Sequence, residues 1–130
     1  MTPEAQDYLD KARGDLNDAV KIAAIGLATI AARSAYYAAF HAAEAFIMEN
    51  TGKIAKTHSG VRSEFARLAK ETPGIDKALP IVLAKSYKYK ELSDYGVGRS
   101  AIVSTTEAEE AIKSAALFID CIATQLSNSK

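Results

Sequence analysis

The chain is poor in the residues that staple or metallate a fold. Its 130 residues include one cysteine, no tryptophan, three prolines and two histidines, and the formal net charge is zero. A lone Cys121 excludes a disulfide framework within the chain, and it reads most simply as a small core residue of the last helix. With only His41 and His58 beside it, imidazole and thiolate ligands are too few for a zinc site, so no metal and no cofactor are expected. The longest uncharged apolar run lies between Lys21 and Arg33, short of the roughly 20 residues a bilayer span needs. The opening Met1-Thr-Pro-Glu-Ala-Gln-Asp is polar and acidic, unlike a signal peptide, so a cytoplasmic protein without membrane contact is expected. No P-loop, dinucleotide glycine fingerprint or G-x-S-x-G elbow occurs.

What the chain has is alanine. Its 25 alanines make about a fifth of the residues, and alanine is the best helix former and a poor strand residue. Hydrophobic residues at 48% and charged residues at 25% suit a globular fold, and the length suits one domain over residues 1–130. The pattern predicts an all-α, five-helix, up-and-down bundle with a short third helix.

The first predicted helix runs from about Thr2, as N-cap before Pro3, to Ala24, with a stripe of Leu9, Ala12, Leu16, Ala19, Val20 and Ala23 and a stop at Gly26. The second, about 28–50, is apolar nearly all round, from Ile30 through Tyr36 and Phe40 to Ile47, and belongs at the centre. The third, about 58–70, turns Val61, Phe65, Leu68 and Ala69 inward. The fourth, about 76–94, starts on Asp76 as N-cap, with Leu79, Val82, Leu83 and Tyr87 as its apolar side. The fifth opens on Ser104-Thr-Thr-Glu107, a capping box, and carries Ala108, Ala111, Ile112, Ala115, Ile119, Ile122, Ala123 and Leu126. The tail 127–130 is expected to fray.

The neutral total hides a bias. Residues 53–90 carry nine basic and three acidic side chains, a local excess of +6 between two segments of −3 each. Such a segment suits either solvated helix faces or a positive surface for phosphate. Three constellations stand out. Arg33, Tyr37, His41 and Glu44 share one stripe of the second helix and read as a buried polar seam that fixes helix register, or alternatively as a ligand-binding row. Lys85, Lys88 and Lys90 interleave with Tyr87, Tyr89 and Tyr95, a mixture suited to RNA or nucleotide contact, while Lys90 and Asp94 are also spaced for an i,i+4 ion pair. Thr57-His58-Ser59-Gly60 opens the third helix, where His58 with Lys53, Lys56 and Arg62 suits a phosphate, or Thr57 or Ser59 simply caps the helix and His58 packs on the surface.

Read together, Arg33-Ser-Ala-Tyr-Tyr-Ala-Ala-Phe-His-Ala-Ala-Glu-Ala-Phe, then Thr57-His-Ser-Gly-Val, then Ser93-Asp-Tyr-Gly, resemble the small prokaryotic HEPN-domain proteins across nearly the whole chain. The resemblance implies an all-α bundle and a homodimer. It also implies a toxin–antitoxin setting beside a minimal nucleotidyltransferase antitoxin. Active members are metal-independent endoribonucleases whose Arg and His, four to six residues apart, pair across a dimer cleft. Here Arg33 and His41 are separated by seven residues, Lys90 stands where the subfamily has the Arg of Arg-x-x-x-Asp-Tyr, and Asp94 and Tyr95 follow without a histidine. Lysine lacks the planar fork of arginine, and an unperturbed aspartic acid near pKa 3.9 seldom donates a proton near neutrality. The expectation is therefore a dimeric HEPN protein binding RNA, a nucleotide or a nucleotidyltransferase through residues 53–95. The alternatives are a weak endoribonuclease using Lys90, Asp94 and Tyr95 with His58, and a ligand-free adaptor.

Overall fold

Alanine's preference for helix is realised throughout. The computed structural model describes residues 1–128, and these form five α-helices: α1 (Pro3–Ala24), α2 (Ala28–Thr51), α3 (His58–Lys70), α4 (Leu79–Tyr95) and α5 (Thr105–Ser127). A single 3-10 turn at Arg99–Ala101 joins α4 to α5, and no strand occurs among the described residues.

The helix starts follow local chemistry. Thr2 accepts from the Ala5 amide at 3.1 Å, and Thr57 accepts from the Gly60 amide at 2.9 Å. At α5 the reciprocal box is complete, with the Glu107 amide donating to Ser104 Oγ and the Ser104 amide to Glu107 Oε1, each at 3.1 Å. Gly26 (φ +85°) and Gly52 (φ +73°) take the left-handed backbone that ends α1 and α2.

The α2 helix is the axis of the bundle and packs against each of the other four. Its topology can be read from the ends. The Thr2 amide donates to Glu49 Oε1 at 2.8 Å, setting the start of α1 beside the end of α2. Arg33 meets Asp94 at 2.7 Å, setting the end of α4 beside the start of α2. The Val103 amide donates to Thr29 Oγ1 at 3.0 Å, bringing α5 in at that same end. Thus α1 and α4 run against α2, and α5 runs with it. Eight alanines of α2 are buried, so its neighbours approach closely, while Tyr36, Phe46 and Ile47 fill the larger gaps with Phe65 and Phe118.

Several sequence expectations are corrected. The fourth helix starts at Leu79 rather than Asp76. An earlier start would require residue 80 to donate its amide to the Asp76 carbonyl, and Pro80 has no N–H; Asp76 instead accepts from the Ala78 amide through its side chain, at 2.8 Å. Val20 and Ile30, assigned to the core, are about half exposed, because both lie on the outer edges of their stripes near the end where α1 turns into α2. Phe118 and Ile75, not assigned to it, are fully buried. Cys121 is only half-buried, its Sγ facing the Gly74 carbonyl at 3.8 Å, because it sits at the margin where the loop after α3 crosses α5. Ser127 still belongs to α5, and residues 129–130 of the expected frayed tail lie outside the described residues.

Phe65 joins α3 to the axis and to α5, edge-on to Phe46 at 5.7 Å and tilted against Phe118 at 5.3 Å. Phe65→Ala should cost about 3–5 kcal/mol, read as a lowered denaturation midpoint in guanidinium. A loss below about 1 kcal/mol would show that α3 is not part of the cooperative core.

Candidate functional site

The α1 and α4 helices flank α2 and scarcely touch one another, so one stripe of the central helix is left only partly covered. Arg33, Tyr37 and His41 lie on that stripe half-exposed, and Glu44 at its far end is buried at 7% exposure. The stripe is therefore an open rim at its start and a buried polar seam only at its end. Each member has a partner. Arg33 Nε donates to Asp94 Oδ1 at 2.7 Å and its guanidinium lies 4.8 Å over the Tyr37 ring. His41 Nδ1 is 2.7 Å from Glu44 Oε1, and His41 Nε2 is 3.5 Å from Asp15 Oδ2 of α1. This last pairing adds a polar tie to the apolar packing of α1 on the axis. Burial, the largest influence, holds the Asp15 carboxyl above its usual value against the opposing pull of His41 and Lys11.

The start of α3 and the end of α4 close over the same place. His58 sits among aromatic rings, 4.6 Å from Phe40, 5.4 Å from Tyr87, 5.8 Å from Tyr36 and 5.8 Å from Tyr37 (ring centroids). Its Nδ1 is 2.7 Å from the Tyr36 hydroxyl. Arg62, one turn along α3, stacks on Tyr87 at 4.3 Å, and Lys90 Nζ lies 5.9 Å from Tyr87, 5.0 Å from the exposed Tyr95 ring and 3.5 Å from Asp94 Oδ2. Residues 33, 58, 62, 90, 94 and 95 thus form one centre from three helices.

The electrostatics of that centre are lopsided. Arg33 and Lys90 face Asp94, while Lys90 and Arg62 face His58, with Glu91 and Glu44 at the margins. The Arg33 hydrogen bond holds the Asp94 carboxyl below its usual range, outweighing desolvation, and Lys90 adds to it. Desolvation alone would lower Lys90, but the nearby Tyr95, Asp94, Tyr87 and Tyr37 leave it raised and charged. His58 is lowered, first by burial and then by Lys90 and Arg62.

The remaining sequence candidates lie elsewhere. Lys85 and Lys88 are on the opposite side of α4, lining a shallow groove of about 220 Å³ over Ala35 and Ala39, between α4 and α5, with Lys88 Nζ 5.1 Å from the Tyr89 ring. Lys53 and Lys56 are exposed on the loop between α2 and α3. Two participants were not legible as such: Tyr36, which looks like an ordinary core aromatic, and the pairing of Arg33 with Asp94 across 61 residues. No group of three or more His, Cys, Asp or Glu suited to a metal ion occurs among the described residues.

The His58 shift has a sign that can be checked. Because its folded value lies below the ordinary 6.5, the unfolded chain binds more protons as pH falls through that region. The stability His58 contributes is therefore complete above about pH 6.5 and declines below it. Thermal midpoints should fall on acidification from neutrality, before the carboxylates titrate, and His58→Gln should flatten that limb. An unchanged slope in the variant would show that His58 is not protonation-resistant.

The description "HEPN domain" matches residues 5–125, covering all five helices and every residue of the centre. The UPF0332 protein glr0978 of Gloeobacter violaceus is 29% identical over 119 residues, which span 92% of this chain and 93% of the relative. Among the described residues no helix is long and apolar enough to cross a membrane. The all-helical array and the match along its whole length agree: the chain belongs to the HEPN-domain family.

Proposed function

We propose that this protein is a HEPN protein of toxin–antitoxin type that binds RNA at the His58 centre, as a homodimer and beside a minimal nucleotidyltransferase partner. One observation carries the RNA reading: Arg33, Arg62 and Lys90, distant in sequence, converge around His58 and Asp94 with the exposed Tyr95 ring alongside. Cations spaced among aromatic faces match a phosphodiester chain with unstacked bases. Family membership supports the setting and the partner class.

The same geometry weighs against Asp94 as an acid or base. A carboxylate gripped by Arg33 and Lys90 stays ionised and is occupied on both oxygens. Asp94 instead orients the two cations. Lys85 and Lys88, on the far side of α4, do not belong to this RNA surface.

Self-association is supported by apolar side chains at the end where α1 turns into α2. Leu27, Ile30 and Ile102, the last 68% exposed, line one shallow depression of about 440 Å³. Ile102→Asp should halve the mass seen by light scattering, with helical content unchanged. A wild-type chain that is monomeric at all concentrations would overturn the dimer.

Labelled single-stranded RNA titrated at two salt concentrations tests the binding reading. Binding should weaken steeply with salt, and Lys90→Glu should weaken it further and reduce the log–log salt slope by about 1. No binding at low salt would overturn it. The same mixtures kept in EDTA and resolved on a gel test for metal-independent cleavage, and intact RNA is the expected result.

A further inference from the structure

We infer that Tyr36 locks His58 with its proton on Nε2, so that His58 meets phosphate as a hydrogen-bond donor and cannot take a proton from a ribose hydroxyl. The second half of this statement rests on the RNA reading above; the first does not.

Tyr36 Oη lies 2.7 Å from His58 Nδ1. Two arrangements are compatible with that distance: the phenol donates to a bare Nδ1, or Nδ1–H donates to the phenol oxygen. The surroundings choose. Tyr36 is fully buried, and burial above all holds its hydroxyl in the protonated form. Among the described residues the Tyr36 hydroxyl has no hydrogen-bond partner other than His58, so a phenol proton turned elsewhere would be buried and unpaired. The phenol proton therefore points at His58, Nδ1 is the acceptor, and the neutral ring carries its proton on Nε2.

Nε2 is the free end. Among the described residues it has no protein partner, and it is not one of the buried unpartnered atoms, so it faces solvent. The ring is wedged by Phe40 at 4.6 Å and Tyr87 at 5.4 Å, which prevents it from turning over to exchange its nitrogens. The charges facing the ring are Glu44 of α2, Arg62 of α3, and Lys90 and Glu91 of α4, with Tyr36 and Tyr87 as the titratable phenols. Burial and the two cations oppose protonation, which leaves the neutral Nε2–H tautomer as the working form. A general base needs a lone pair at the open nitrogen, and here the lone pair is on Nδ1, spent on Tyr36. A donor beside Lys90 and Arg62 is what a non-bridging phosphate oxygen accepts.

The test is nitrogen-15 NMR of the full-length, uniformly labelled protein at a pH where imidazole is neutral. Two histidines make assignment direct, with His41→Gln removing the other signal set. In the wild-type protein His58 should show a pyridine-type Nδ1 and a pyrrole-type Nε2, a reading that needs no variant to fold. Tyr36→Phe should move both shifts towards the average of mixed tautomers. For RNA at low salt, His58→Ala should lose about tenfold or more in affinity, and His58→Gln, which keeps a donor, should recover most of it. A pyrrole-type Nδ1 in the wild-type protein overturns the lock, whatever RNA does. A pyridine-type Nδ1 combined with undiminished RNA affinity in His58→Ala overturns the donor role and the RNA reading while the lock stands.

Discussion

The structure depends on how closely other helices can approach α2. Eight of its alanines are buried, and a methyl group keeps a neighbour nearer than any larger side chain would. That closeness lets Asp94 reach Arg33 and lets His58, at the start of a different helix, enter the ring cluster of Tyr36, Tyr37 and Phe40. The centre exists because the axis is thin. Larger residues at Ala35 or Ala39 would push α4 and α5 outward and separate its parts before touching any of them.

The polar stripe lies where the ring of neighbours is incomplete: α1 and α4 scarcely touch one another, and the opening between them is where Arg33, Tyr37 and His41 lie. Each is joined to a helix on one flank, Arg33 to α4 through Asp94 and His41 to α1 through Asp15. These ties add to the apolar packing that holds the two flanking helices on the axis. Only Glu44 is deeply buried, and its 2.7 Å contact with His41 satisfies it there.

How much of this was legible in the sequence differs by kind of signal. Helices were legible because composition and caps are local: Thr2, Thr57 and Ser104 each act within four residues of the position that betrays them. The start of α4 was misplaced because Asp76 looks like a cap, while Pro80, four residues on, removes the amide that such a cap requires. The Lys90–Asp94 pair was legible from its spacing, and the family from three separated blocks. Arg33 with Asp94, and Tyr36 with His58, were not, because no periodicity links residues 61 or 22 positions apart. Lys85 and Lys88 were grouped with Lys90 by proximity along the chain, and helical rotation takes them to the other side.

Charge placement within the centre separates binding from catalysis. A site for RNA cleavage by the ribose hydroxyl needs one group that accepts a proton and another that gives one at the same pH. Asp94 is held ionised by Arg33 and Lys90, and the cations stay charged. His58 is held below the ordinary imidazole value by burial, Lys90 and Arg62, and one imidazole cannot serve at both ends of the reaction at once within a single chain. A second imidazole would have to come from His41, whose ring is committed to Glu44 and Asp15 on the far side of Tyr37. On the proposed RNA reading, the single protomer therefore supplies cations for a phosphodiester without a matched pair of proton-transfer groups.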